Sequence, residues 1–81
     1  MNSTQIIQEL TDIFRDQLDN PEVTLEPETT AADVEGWDSL THMQLVVAVE
    51  KHFKVRFLSS EIAAFRNIGD MVQTLLKRLG P

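Results

Sequence analysis

Cysteine is absent from the sequence, which excludes disulfide bridges, a thiolate nucleophile and any thiolate metal site. The two histidines, His42 and His52, are too few for a convincing zinc site. Basic residues are scarce, seven against thirteen acids. The net charge of −6 turns the chain away from nucleic acid, whose phosphates demand a basic surface. No apolar run approaches the ~20 residues that a membrane span needs, and no signal-peptide pattern opens the sequence. These absences lead us to expect a soluble cytoplasmic monomer. Its 81 residues are expected to form one domain, 1–81. A chain this short buries only about 60% of its unfolded surface, which allows one small core.

The charge is unevenly placed. Residues 1–40 hold ten acids and a single base, Arg15, for −9, whereas residues 41–81 hold three acids and six bases, for +3. An acidic face of that size either steers basic partners or serves as a solubilising surface.

Hydrophobic spacing predicts helices. Ile6, Ile7, Leu10, Ile13, Phe14 and Leu18 recur at three- and four-residue steps, one apolar stripe on an otherwise polar helix. Asn2 or Ser3 can cap it, with Gln5 placed to answer Asn2. The turn signal Asp19-Asn20-Pro21 ends it near Leu18. Residues 19–38 keep no period and contain Pro21 and Pro27. A connection of this length in so small a domain carries function or shelters a core, with Leu25 and Trp37 as the sheltering residues.

The second helix runs from 39 or 40 to about 53, a stretch without glycine or proline. Stepping about 100° per residue from Leu45, Val49 falls at about 40°, Phe53 at about 80° and Val46 at about 100°. That is a core face. Met43, Val47 and Leu40 fall at about 160°, 200° and 220°, with Lys51 and Lys54 on the same side. One helix of a small bundle cannot bury both faces, so the second stripe is a candidate docking surface. Residues 54–58 read as an extended connection with Val55 and Phe57 facing in. Ser59 or Ser60 caps a short third helix, 61–65. Asn67 caps a fourth that displays Ile68, Met71, Val72, Leu75, Leu76 and Leu79, ending at Gly80-Pro81. The fold expected is all-α: a four-helix bundle of three longer helices and one short third helix, with a long loop between helices one and two.

Ser39 stands at the head of the second helix in Gly36-Trp37-Asp38-Ser39-Leu40. By itself it suits an N-cap, its hydroxyl accepting a backbone N–H that the first turn leaves unpaired. In this position, after a long loop in an acidic four-helix chain of about this length, the stretch resembles the attachment motif of acyl carrier proteins. Residues 46–53 and 57–70 also resemble that family, and the resemblance spans the whole chain. It implies a discrete carrier rather than an enzyme. Ser39 matches the serine that bears 4′-phosphopantetheine through a phosphodiester, and the arm's thiol holds acyl groups as thioesters. Asp38 matches the acid that helps a phosphopantetheinyl transferase and its magnesium ion position the serine and coenzyme A. The implied partners are that transferase, an acyltransferase or acyl-activating ligase, and condensing or other acyl-processing enzymes. Leu40, Met43, Val47, Glu50 and Lys51 are the partner-facing residues.

The second helix departs from the pattern of fatty-acid-synthase carriers, which bring several acids to basic enzyme patches. Glu50 is the only acid between Leu40 and Phe53. The resemblance is closer to carriers of polyketide or other specialised pathways, with a peptidyl or D-alanyl carrier as the alternative cargo class. A helical adaptor binding through Leu40, Met43 and Val47 without a cofactor is the alternative from another class. A serine hydrolase would need a base near Ser39, and His42, at about 60°, turns toward the core. The loop also lacks the acid spacing of an EF-hand.

Overall fold

A computed structural model describes residues 2–80 as four helices: α1 Ser3–Gln17, α2 Ser39–Phe53, α3 Ser59–Ala64 and α4 Ile68–Leu79. Between α1 and α2 the chain forms only a 3-10 turn, Ala31–Asp33. The expected all-α architecture is the one observed. Among the described residues no helix is long and apolar enough to cross a membrane.

Each end of α1 is fixed locally. Asn2 Oδ1 accepts the Gln5 N–H at 2.9 Å while Gln5 Oε1 accepts the Asn2 N–H at 3.0 Å, the reciprocal capping anticipated from the sequence. At the other end Asn20 N–H bonds to Arg15 O at 3.0 Å, and Asp19 takes φ 51° to turn the chain away. Ile6, Leu10 and Phe14, four residues apart, are fully buried. They form the face on which α2 and α4 pack.

The long connection is built into the core rather than left outside it. Val23, Leu25, Val34 and Trp37 are buried, and the Trp37 ring meets Phe14 edge-on at 5.0 Å. Arg15 Nε donates to Val23 O at 2.8 Å, pinning the loop to α1. Further on, Ile68 N–H donates to Thr29 O at 2.9 Å and Gly69 N–H to Pro27 O at 2.7 Å, tying the loop to the start of α4. A Cβ at Gly69 would lie 3.0 Å from Pro27 O, so this close approach depends on a residue without one.

Leu45, Val46, Val49 and Phe53 of α2 are buried, whereas Leu40, Met43 and Val47 are 84%, 51% and 44% exposed. The helix therefore carries two apolar faces and buries one. Lys54 ends it in the left-handed region, φ 58° and ψ 47°, where a side chain with a Cβ costs about 1 kcal/mol. Glu50 Oε2 then accepts the Phe57 N–H at 2.8 Å, folding the connection back so that Phe57 is buried and Val55 half-buried.

Helix α3 departs from expectation. It runs Ser59–Ala64, with Leu58 rather than a serine at the cap position. The first turn is held instead by Glu61 Oε1, which accepts the Leu58 N–H at 2.8 Å and an Arg78 Nη2–H at 2.6 Å, so one carboxylate starts α3 and docks it on α4. Asn67 Oδ1 caps α4 through Asp70 N–H at 2.9 Å. Ile68, Met71, Val72 and Leu75 of α4 are buried. Gly80 takes φ 74° at its end; Pro81, expected to share in stopping the helix, lies outside the described residues.

Two outcomes follow for stability, both measurable by denaturant unfolding. Phe53→Ala and Leu75→Ala should each cost roughly 2–5 kcal/mol, and Met43→Ala and Val47→Ala less than about 1 kcal/mol. Equal losses across the two pairs would mean that α2 is buried on all sides. Lys54→Gly should stabilise by about 1 kcal/mol by relieving the left-handed backbone; a loss would show that the side chain contributes more to the fold than the strain removes.

Candidate functional site

The turn before α2 is locked by one carboxylate, one hydroxyl and one glycine. Asp38 Oδ1 accepts the Leu40 and Thr41 N–H groups, both at 2.9 Å. Thr41 Oγ1 accepts the Asp38 N–H at 2.8 Å and donates to Gly36 O at 2.6 Å. Gly36 holds φ 91°, a conformation that L-residues rarely adopt. The cap is therefore Asp38, and Ser39 is the first residue of the helix, not its cap. Asp38 wins because one oxygen of a fully charged carboxylate satisfies two orphan N–H groups at the positive helix end. Ser39 takes no part in these bonds and is exposed.

Those same bonds set the charge state of Asp38. The Thr41 N–H has the largest effect; desolvation, the next largest, opposes it, and the Leu40 N–H and the Thr41 hydroxyl add to it, so that the carboxyl is held below the ordinary carboxylate value. Glu61 is lowered likewise, first by the Leu58 N–H and then by the Arg78 guanidinium.

Beside Ser39 the Trp37 indole Nε1–H donates to His42 Nδ1 at 3.1 Å, and the two rings stack with centroids 6.0 Å apart. With Nδ1 accepting, the network assigns the ring proton to Nε2, which faces Ile62 O on α3 at 3.4 Å. His42 thus joins the loop, α2 and α3. Neither nitrogen is directed to the Ser39 hydroxyl, so the pair is not arranged as nucleophile and base. A cleft of about 360 Å³ opens at this point, with Trp37, Ser39, His42, Met43, Ile62 and Phe65 among its lining.

Of the residues expected at the site, Ser39, Leu40, Met43, Val47 and Lys51 are exposed along α2, and Asp38 sits at its head. Glu50 is half-buried, and its carboxylate is bonded to Phe57 N–H. Sequence reasoning placed it on the partner-facing surface, and in the structure one of its oxygens also holds the connection after α2. The Trp37–His42–Ile62 bridge was also missed, although an indole donor five residues before an imidazole acceptor across a helix start was a usable signal.

A 15-residue helix fixed at its N-terminus by a charged cap, with a protruding hydroxyl and an apolar stripe below it, defines a protein that presents one reactive group to others. The comparisons identify the class. Residues 8–75 match the family described as the phosphopantetheine attachment site. A holo acyl carrier protein from Geobacter metallireducens, solved by NMR in solution, is 39% identical and superposes with a TM-score of 0.85, covering 91% of this chain and 85% of its own. The chain belongs to the acyl carrier protein family. Its cofactor is 4′-phosphopantetheine, and its role is that of a non-catalytic carrier. Carriers of this type work with a phosphopantetheinyl transferase and acyl-processing enzymes.

The local structure fits such a group, because attachment needs a reachable hydroxyl and Ser39 provides one. Asp38 already occupies the Leu40 and Thr41 N–H groups and sets a negative charge beside Ser39.

The lowered Asp38 carboxyl gives a pH dependence of definite sign. Its stabilisation is complete above the unfolded value, about 4, and is lost as pH falls through the lower folded value. Urea midpoints of wild type and Asp38→Asn should differ by a constant amount above about pH 5 and converge below about pH 4. A gap unchanged down to pH 2 would contradict the assignment.

Proposed function

We propose that Ser39 is the residue that bears 4′-phosphopantetheine, and that the chain, as one domain over residues 1–81, is a cytoplasmic carrier of a polyketide or other specialised pathway. The observation that carries the first statement is the exposed Ser39 hydroxyl at the head of α2, left out of the network around Asp38, Thr41 and Gly36. When attached, the cofactor supplies a thiol on a long arm, on which acyl groups are held as thioesters.

The chain's own residues do the rest. Asp38 and Thr41 fix the direction in which the Ser39 Oγ leaves the surface, and the Asp38 carboxylate, ionised at neutral pH, is available to a transferase and its magnesium ion. Leu40, Met43 and Val47 continue from Ser39 down the exposed face of α2, where an acyltransferase, ligase or condensing enzyme would dock. Lys51 follows on the same side. The specialised-pathway assignment rests on this composition: the single acid of α2, Glu50, is bonded to the backbone, leaving no row of carboxylates for basic enzyme patches.

Incubation with coenzyme A and a broad-specificity transferase should add one phosphopantetheine mass to the intact protein and none to Ser39→Ala. No addition with several transferases would favour an unmodified adaptor. In binding to the pathway's condensing enzyme, Met43→Ala and Val47→Ala should each lose about 1–3 kcal/mol of affinity, and Glu50→Gln less. A dominant Glu50 effect that vanishes at high salt would place the chain with electrostatically read carriers.

A further inference from the structure

We propose that the far end of α2 forms a cationic groove that receives an acidic segment of a partner protein; the inference rests on the carrier function above and specifies its docking surface. Val47, Glu50, Lys51, Lys54, Val55 and Arg56 line a groove of about 480 Å³. Among the described residues Lys51, Lys54 and Arg56 form no ion pair, whereas Arg66 and Arg78 pair with Asp70 and Glu61. The one carboxylate in the groove, Glu50, accepts the Phe57 N–H and so folds the Arg56 segment against α2.

The helix dipole accounts for only part of this cluster. Its effect falls off within the last turn, and Arg56 lies beyond the end of α2. Lys54 holds a left-handed backbone in which glycine is the unstrained choice. A long cation kept there despite strain points to use of the side chain.

The remaining charge selects the partner. Residues 1–40 carry −9, so an acidic surface is repelled by α1 and the loop and attracted at this groove, which favours one orientation. Lys51 follows Ser39 by twelve residues on one helix, a rise of about 18 Å, with Met43 and Val47 between. The partner's carboxylates therefore lie about 18 Å from the mouth that receives the arm. Apolar contacts near Ser39 hold the complex, and the groove sets its approach.

The test uses the labelled full chain, with pantetheine loading scored separately by mass. It is titrated with a helical peptide bearing glutamates on one face and leucines on the next, and with an isostere in which glutamine replaces glutamate. The glutamate peptide should shift the amides of 47, 51 and 54–56, bind at least tenfold tighter than the glutamine peptide, and weaken steeply with salt. Lys51→Gln, Lys54→Gly and Arg56→Gln combined should weaken it at least tenfold and flatten the salt dependence, while Lys77→Gln leaves both unchanged. Equal binding of the two peptides, shifts centred elsewhere, or a triple variant that binds like wild type would overturn the groove. None of those outcomes touches loading of Ser39. Conversely, a chain that takes no arm yet binds the glutamate peptide would overturn the carrier function and leave the groove standing.

Discussion

The Asp38 carboxylate, accepting two N–H groups at the first turn of α2, is the interaction on which the site depends. It starts the helix after a loop that has no regular structure of its own beyond one 3-10 turn. It also relieves Ser39 of the capping task, so that the serine hydroxyl points out rather than back onto the backbone. A serine cap would hold its hydroxyl against the backbone N–H groups instead. The two adjacent residues divide the tasks: Asp38 caps the helix, and the Ser39 side chain stays outside the cap bonds.

The second constraint is size. With so little interior available, α1 commits Ile6, Leu10 and Phe14 to the core, α4 commits Ile68, Met71, Val72 and Leu75, and the loop adds Val23, Leu25, Val34 and Trp37. Helix α2 completes this cluster with one face only. Its other apolar residues, Leu40, Met43 and Val47, are left largely exposed, and they begin beside Ser39. The docking surface is thus a consequence of how few side chains enclose the core, with the long loop bonded to α1 and α4 rather than covering α2.

Much of this was legible in the sequence because it depends on period and on local caps. The Asn2–Gln5 pair, the Asn67 cap, the stripes of α1 and α4, and the two faces of α2 follow from spacing and residue type alone. What was not legible depends on competition or on distant partners. Asp38 and Ser39 are both good caps, and only the bonds from Leu40 and Thr41 decide between them. The start of α3 depends on Glu61 meeting Arg78, 17 residues away. The bond that Glu50 accepts from the Phe57 N–H depends on the chain reversal at Lys54. The His42 bridge requires Trp37 and Ile62 to converge from opposite sides. The family was readable from the motif in context, and the match over residues 8–75 bears it out.

The central claim is that attachment occurs at Ser39, the exposed serine at the head of the helix that also carries the unburied apolar stripe Leu40, Met43 and Val47. Its most direct test is peptide-level mass spectrometry of the modified protein. Cleavage after Arg15 and Lys51 yields residues 16–51, in which Ser39 is the only serine. The expected result is that the whole added mass resides in that peptide and fragments at Ser39. Added mass on peptides containing Ser3, Ser59 or Ser60 would contradict the account.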